Sequence, residues 1–183
     1  MTARELEEYR ALRATIRQRG TARVWMAVGG LTAWAALTLT TFAVPWLPEA
    51  SLLSLLVLAV SFEAVFMLHT AAERVGRYLQ VFYENEERNW ETTVMAFGRM
   101  YPASGADAIF SVFFWMAAVL NILPAAAAQA TLTEWAALGP LHLLFVGRVA
   151  AARRRAGAQR AVDLDRFQAL KQAQSGPRTE EPS

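Results

Sequence analysis

Long apolar stretches alternate with blocks of charge along this chain. Four of them, 24–44, 51–71, 108–128 and 132–152, are long enough to cross a bilayer as helices rising about 1.5 Å per residue. The fourth is the least regular, because it contains Pro140 and Arg148. Proline breaks one internal hydrogen bond, and the arginine is expected to snorkel toward the headgroups. A tilted or re-entrant segment is the alternative there.

Between the second and third stretches the helical pattern does not stop. Val75, Leu79, Phe82, Glu86, Trp90, Val94 and Phe97 recur at spacings of three and four, so the second span is predicted to continue as one helical extension over 72–97. Glu73 with Arg77, and Glu84 with Arg88, are placed for i,i+4 support. Gly98 to Gly105, with Pro102 inside, ends the extension.

Capping signals divide the rest. Thr2 and Glu5 form a capping box, Leu6, Tyr9, Leu12 and Ile16 make an apolar stripe, and Gly20 supplies a stop. A separate amphipathic helix over 1–20 is therefore predicted. Ser104 to Asp107 and Thr131 to Glu134 start the third and fourth spans, and Pro45 to Pro48 makes a turn. Trp25 and Trp46 bracket the first span. A short helix is expected over 161–173, carrying Leu164, Phe167 and Leu170, and a disordered tail over 174–183.

Charge orients these elements. All 18 Lys and Arg residues fall within 1–23, 72–105 and 148–183, and the connections around Pro45 to Ala50 and Gln129 to Glu134 carry none. Basic loops stay on the cytoplasmic side, so both termini are expected there with an even number of spans. The leader is too long and too acidic for a signal peptide and reads as part of a retained anchor. The expected fold is an all-α, integral membrane four-helix bundle, N-in and C-in, in a bacterial-type cytoplasmic (inner) membrane. The membrane domain covers 21–173.

Composition narrows the chemistry. With 55% hydrophobic residues and no cysteine, a water-soluble globule, a disulfide framework and thiolate chemistry are all disfavoured. A pI near 9.4 follows from the basic face, for which anionic lipid headgroups rather than nucleic acid are the expected counter-charge.

Several residues remain as candidates. Glu63, a carboxylate near mid-span, is expected to face the bundle, either as a proton or cation site or as a neutral acid bonded to Asn121, Thr38 or Thr40. His69 and His142, counted back from the next basic residue, fall at a similar depth and are the one pair that could hold a b-type haem between helices. The bland alternative is two separate histidines, one paired with Glu73. Glu84, Glu87 and Glu91 share a face that suits a hard cation weakly and an Arg-rich helix better. Gly29, Ala33, Ala36 and Thr40 form a small-residue stripe on which another helix can pack. Arg153, Arg154 and Arg155 serve as a topology determinant or a headgroup contact.

No phosphate-binding loop, dinucleotide fingerprint or zinc-protease motif is present. The leading expectation is a non-catalytic scaffold or accessory subunit that self-associates or docks on a larger membrane complex, without resident metal or cofactor. A small oligomeric channel or carrier using Glu63, and a haem electron carrier through His69 and His142, are the alternatives.

Overall fold

The computed structural model describes residues 1–44, 47–87, 89–101 and 107–175; the side chains of Asp107, Ala108 and Arg153 fall outside that description. Pro45, Trp46, Arg88, the stretch from Pro102 to Ala106, and residues 176–183, all used in the sequence-based expectations, lie outside the described residues. Six helices follow in order: α1 (Ala3–Phe42), α2 (Ser51–Phe82), α3 (Trp90–Met100), α4 (Asp107–Leu120), α5 (Leu123–Ala127) and α6 (Leu132–Ser175). Four segments are long and apolar enough to span a membrane: α1, α2 with the 3-10 turn Pro48–Ala50 before it, α4 with α5, and α6.

Two expected boundaries are absent. Helix α1 starts on the Thr2–Glu5 capping box and runs through Gly20 without a break, so the amphipathic segment 1–20 and the first span are one rod. Likewise α6 continues through Pro140 and past Arg155 to Ser175, so the fourth span and the helix expected over 161–173 are also one. In both cases packing of a long helix on its neighbours outweighs a glycine or proline penalty of about 1–3 kcal/mol.

Two unexpected breaks appear instead. The extension of α2 ends at Phe82, and a separate helix, α3, starts at Trp90. A continuous helix would have stacked Glu84, Glu87 and Glu91 along one side, where like charges repel. The break converts that repulsion into capping. The Glu84 carboxylate accepts from the backbone N–H of Glu91 and of Thr92 (3.0 Å), and a carboxylate is favoured at a helix N-terminus. Glu91 then turns to Arg13, 2.5 Å away. The third span breaks at Asn121 and Ile122, just before Pro124, and resumes as α5. Gln129, at φ 55°, turns the chain into α6, whose start carries the Thr131–Glu134 capping box.

The pairings fix the arrangement. Arg19 donates to the carbonyl of Ala71 (2.7 Å) and Tyr78 to Glu8 (3.3 Å), so α1 and α2 form a long antiparallel hairpin. Along α2 and α6 the partners rise together, Glu63 with Arg148, Glu73 with Arg160 and Val81 with Lys171, so these helices run parallel. Phe62 sits at the centre of the core, with ring centroids 5.3 Å from Phe114 and 6.0 Å from Phe145, among Leu58, Val65, Ala117 and Val149. A second aromatic group, Tyr9, Tyr78, Phe82, Tyr83 and Phe167, joins the start of α1 to the ends of α2 and α6. The outside of the rods is apolar: Leu53, Val60 and Met67 are more than 60% exposed, a surface that water does not favour at this extent.

Candidate functional site

Close approach of α1 and α2 is set by Gly30, not by the stripe predicted from spacing. A Cβ on Gly30 would overlap Cβ and Oγ of Ser61, and Ala27, Gly30, Leu31, Trp34 and Thr38 make the inner face of α1. Gly29, Ala33, Ala36 and Thr40 all point outward, and nothing lies within 4 Å of a Cβ built on Gly29. The inner stripe Ala27, Leu31, Trp34 and Thr38 and the predicted one are offset by two residues, about 200° around the helix, so they lie on opposite sides of it.

Near the turn that joins α1 to α2, Asn121 is fully buried and uses its whole amide. Its oxygen accepts from Trp34 Nε1 (3.0 Å) and Thr38 Oγ1 (3.3 Å), and its nitrogen donates to the carbonyl of Ser51 (2.9 Å) and to His142 Nε2 (3.0 Å). Indole N–H only donates, so the amide oxygen must face Trp34. It follows that His142 accepts at Nε2 and carries its proton on Nδ1, from which it donates to the Leu138 carbonyl at 2.8 Å. This hub ties α1, α2, the α4–α5 break and α6 together. From the α4–α5 break the Asn121 side chain reaches the other three.

Glu63 does not reach Asn121, Thr38 or Thr40. It faces the groove between α2 and α6, where Arg148 Nη2 donates to its carboxylate at 2.8 Å. Arg148 is thus turned toward α2, and its guanidinium lies 4.8 Å from the Phe66 ring centre and 5.6 Å from that of Phe62. Each charge supplies the other's counter-ion, which lowers the cost of holding either in an apolar setting. The groove around the pair is about 310 Å³ and is lined by Leu52, Leu55, Leu56, Ala59, Leu141, Leu144 and Phe145. Glu63→Ala is expected to lower thermal stability in detergent, leaving Arg148 alone at a cost of up to about 3 kcal/mol, while Glu63→Leu with Arg148→Leu recovers most of it. Equal losses in the single and the double variant would mean that the two side chains do not compensate each other.

Comparison with known protein families, curated proteins and solved structures returned no match. The reading of the site rests on its own geometry.

The two histidines are not brought together. His142 belongs to the Asn121 hub beside Ser51, whereas His69 lies near the other end of α2, on the order of 25 Å along the axis at about 1.5 Å per residue. That separation overturns the similar depth expected for the two from counting back to the next basic residue. His69 Nδ1 is 2.8 Å from Arg23 Nη1, and its Nε2 is 3.6 Å from Glu73.

Past His69 the helices are joined by charge. Arg160 Nε donates to Glu73 (2.7 Å), Arg74 to Asp163 (3.2 Å) and Gln159 to Asp163 (2.8 Å). Arg77, 5% exposed, has its Nε buried without a hydrogen-bond partner; burial lowers its pKa from the ordinary value, and Glu73 opposes that shift. Tyr83, in the turn after α2, has its hydroxyl pKa pushed up to about 12 by burial and by its bond to Glu8. Of the acidic face, Glu91 meets Arg13 and Glu84 caps α3; no cluster of three metal-ligating side chains occurs among the described residues. Arg154 and Arg155 are exposed on α6, and the side chain of Arg153 is outside the description.

The sequence reading missed Trp34 and Ser51 as partners of Asn121, and Arg148 as the partner of Glu63. Only the last carried a signal: Arg148 is the one basic residue inside the spans predicted to run in the same direction as that of Glu63.

Proposed function

We propose that this protein is a non-catalytic, multi-pass membrane scaffold or accessory subunit that self-associates through the outer face of α1. Both termini and the α2–α4 connection lie on the cytoplasmic side, in keeping with the placement of every Lys and Arg. The observation that carries the reading is the outward position of Gly29, Ala33, Ala36 and Thr40, on a helix whose inner face is already packed by other residues. In lipid, helices associate where small residues allow close backbone approach. A small face left on the outside suits a second copy.

The side chains that suggested chemistry favour this reading over its rivals. Glu63 is neutralised by Arg148 within the chain, which weakens the case for an ion path, and the separation of His69 from His142 weakens that for a shared haem. A chain without cysteine makes the test simple. Ala33→Cys is expected to form a disulfide-linked dimer in native membranes under mild oxidation, whereas Leu56→Cys, on the outer face of α2, is not. Absence of cross-linking at Ala33 and Ala36, together with a monomeric mass in lipid nanodiscs, would refute self-association through this face.

A further inference from the structure

We propose that α3 is an interfacial helix, with the line Trp90–Val94–Phe97–Tyr101 inserted at the boundary between headgroups and acyl chains. The inference rests on the reading of α2 and α4 as membrane spans. No residue of α3 is buried, and Trp90, Val94, Phe97 and Met100 are 45–71% exposed. At about 100° per residue, Trp90, Val94, Phe97 and Tyr101 fall in an arc of about 60°. The half-buried Glu91 and Met95 lie roughly a quarter-turn away and face the bundle. Thr92 and Arg99 lie opposite the apolar line.

The contacts of the first turn orient this pattern. The Glu91 carboxylate sits 2.8 Å from where a Cβ of Gly76 would be, while Thr92 bonds Gln80 and Glu84, farther along α2 from its apolar stretch. The side opposite Thr92 therefore turns back toward the apolar stretch. Gly76 is about 7 Å past the end of that stretch at Ala71, and a helix with side chains has a radius of about 5–6 Å, so the apolar line reaches the edge of the bilayer. Interfacial helices bury such a face about 5–10 Å into the headgroup region.

Lipid, rather than a protein partner, fits on two grounds. The chain enters α3 from one span and leaves it for another, which keeps the helix beside the bilayer. The line is aromatic-rich, with the Phe97 and Tyr101 rings 4.9 Å apart, the residue types that settle at membrane interfaces. Trp90 also borders a groove with Tyr9 and Tyr83, so Val94 and Phe97 are the decisive positions.

The test uses the full chain in phosphatidylcholine nanodiscs, with a single cysteine at Val94, Phe97, Arg99 or Leu56 carrying an environment-sensitive fluorophore. Labels at Val94 and Phe97 are expected to be quenched by a nitroxide near the lipid headgroup, and to be about threefold or more better protected from aqueous iodide than the label at Arg99. The Leu56 label, quenched by a nitroxide deep in the acyl chains, checks the spans independently. With Leu56 in lipid, iodide access at Val94 and Phe97 equal to that at Arg99 overturns the inference. So does shielding of both labels from iodide and lipid nitroxide alike, which would place protein on this face. A Leu56 label untouched by lipid nitroxides would remove the spanning reading itself, and the inference with it.

Discussion

Gly30→Leu is expected to cause the larger loss of stability of two neighbouring glycine substitutions, separating α1 from α2. Any Cβ at position 30 overlaps the Ser61 side chain, whose own Cβ is attached to the facing backbone and cannot swing away. Overpacking of this kind costs about 1–3 kcal/mol when the surroundings can shift, and more where two rods must part along their length. Gly29→Leu makes the natural control, since nothing occupies the space around its Cβ within the protomer. It should leave the unfolding midpoint of the detergent-solubilised monomer unchanged or raised, because glycine is a poor helix residue, while abolishing the proposed association. Thermal unfolding followed by tryptophan fluorescence distinguishes the two. Ser61→Gly should restore a Gly30→Ala variant, and a Gly30→Leu protein as stable as its parent would show that the hairpin does not depend on close approach at this point.

The second large effect is expected at Asn121. Asn121→Leu leaves Trp34 Nε1 and His142 Nε2 without their partner, takes a donor from the Ser51 carbonyl, and forces a branched side chain into a space shaped for an amide. Polar contacts between membrane helices average about 0.6 kcal/mol and reach about 1.7, so losing several at one point amounts to about 2–4 kcal/mol. His142→Leu alone should cost less, because one of the four bonds is lost and Asn121 keeps three. Combining the two should cost clearly less than the sum, since the second change removes a group the first has already orphaned. Strict additivity in that double-mutant cycle would mean that the Asn121–His142 bond does not contribute.

Much of the fold was legible because hydropathy is a local property. The four apolar stretches, the two capping boxes and the confinement of basic residues to three blocks could each be read from a window of one helix length. The candidate site was legible only as a set of conspicuous residues. Glu63, Asn121, His69 and His142 stood out because polar groups in apolar stretches require partners, but the requirement does not name the partner. Asn121 was offered to Glu63 and instead serves α1, α2 and α6; of the two readings of the histidines, the structure takes the one that keeps them apart and pairs His69 with Glu73, and adds Arg23.

The errors share a cause. Gly20 and Pro140 were weighed by intrinsic propensity, a matter of about 1–3 kcal/mol per residue, whereas rods of forty residues packed on neighbours are held by the sum of many contacts. The Glu84–Glu91 segment was read by apolar period alone, which does not register that Glu84 caps the start of α3 and Glu91 pairs with Arg13. By itself, then, the order of residues determined how many apolar stretches are long enough to span and where charge is excluded, since each depends on a residue and its near neighbours along one helix. Which side of α1 is inner, which charge neutralises Glu63 and which groups Asn121 joins were decided only by tertiary structure. Those outcomes depend on the register and rotation of helices distant in sequence, which no window along one helix contains.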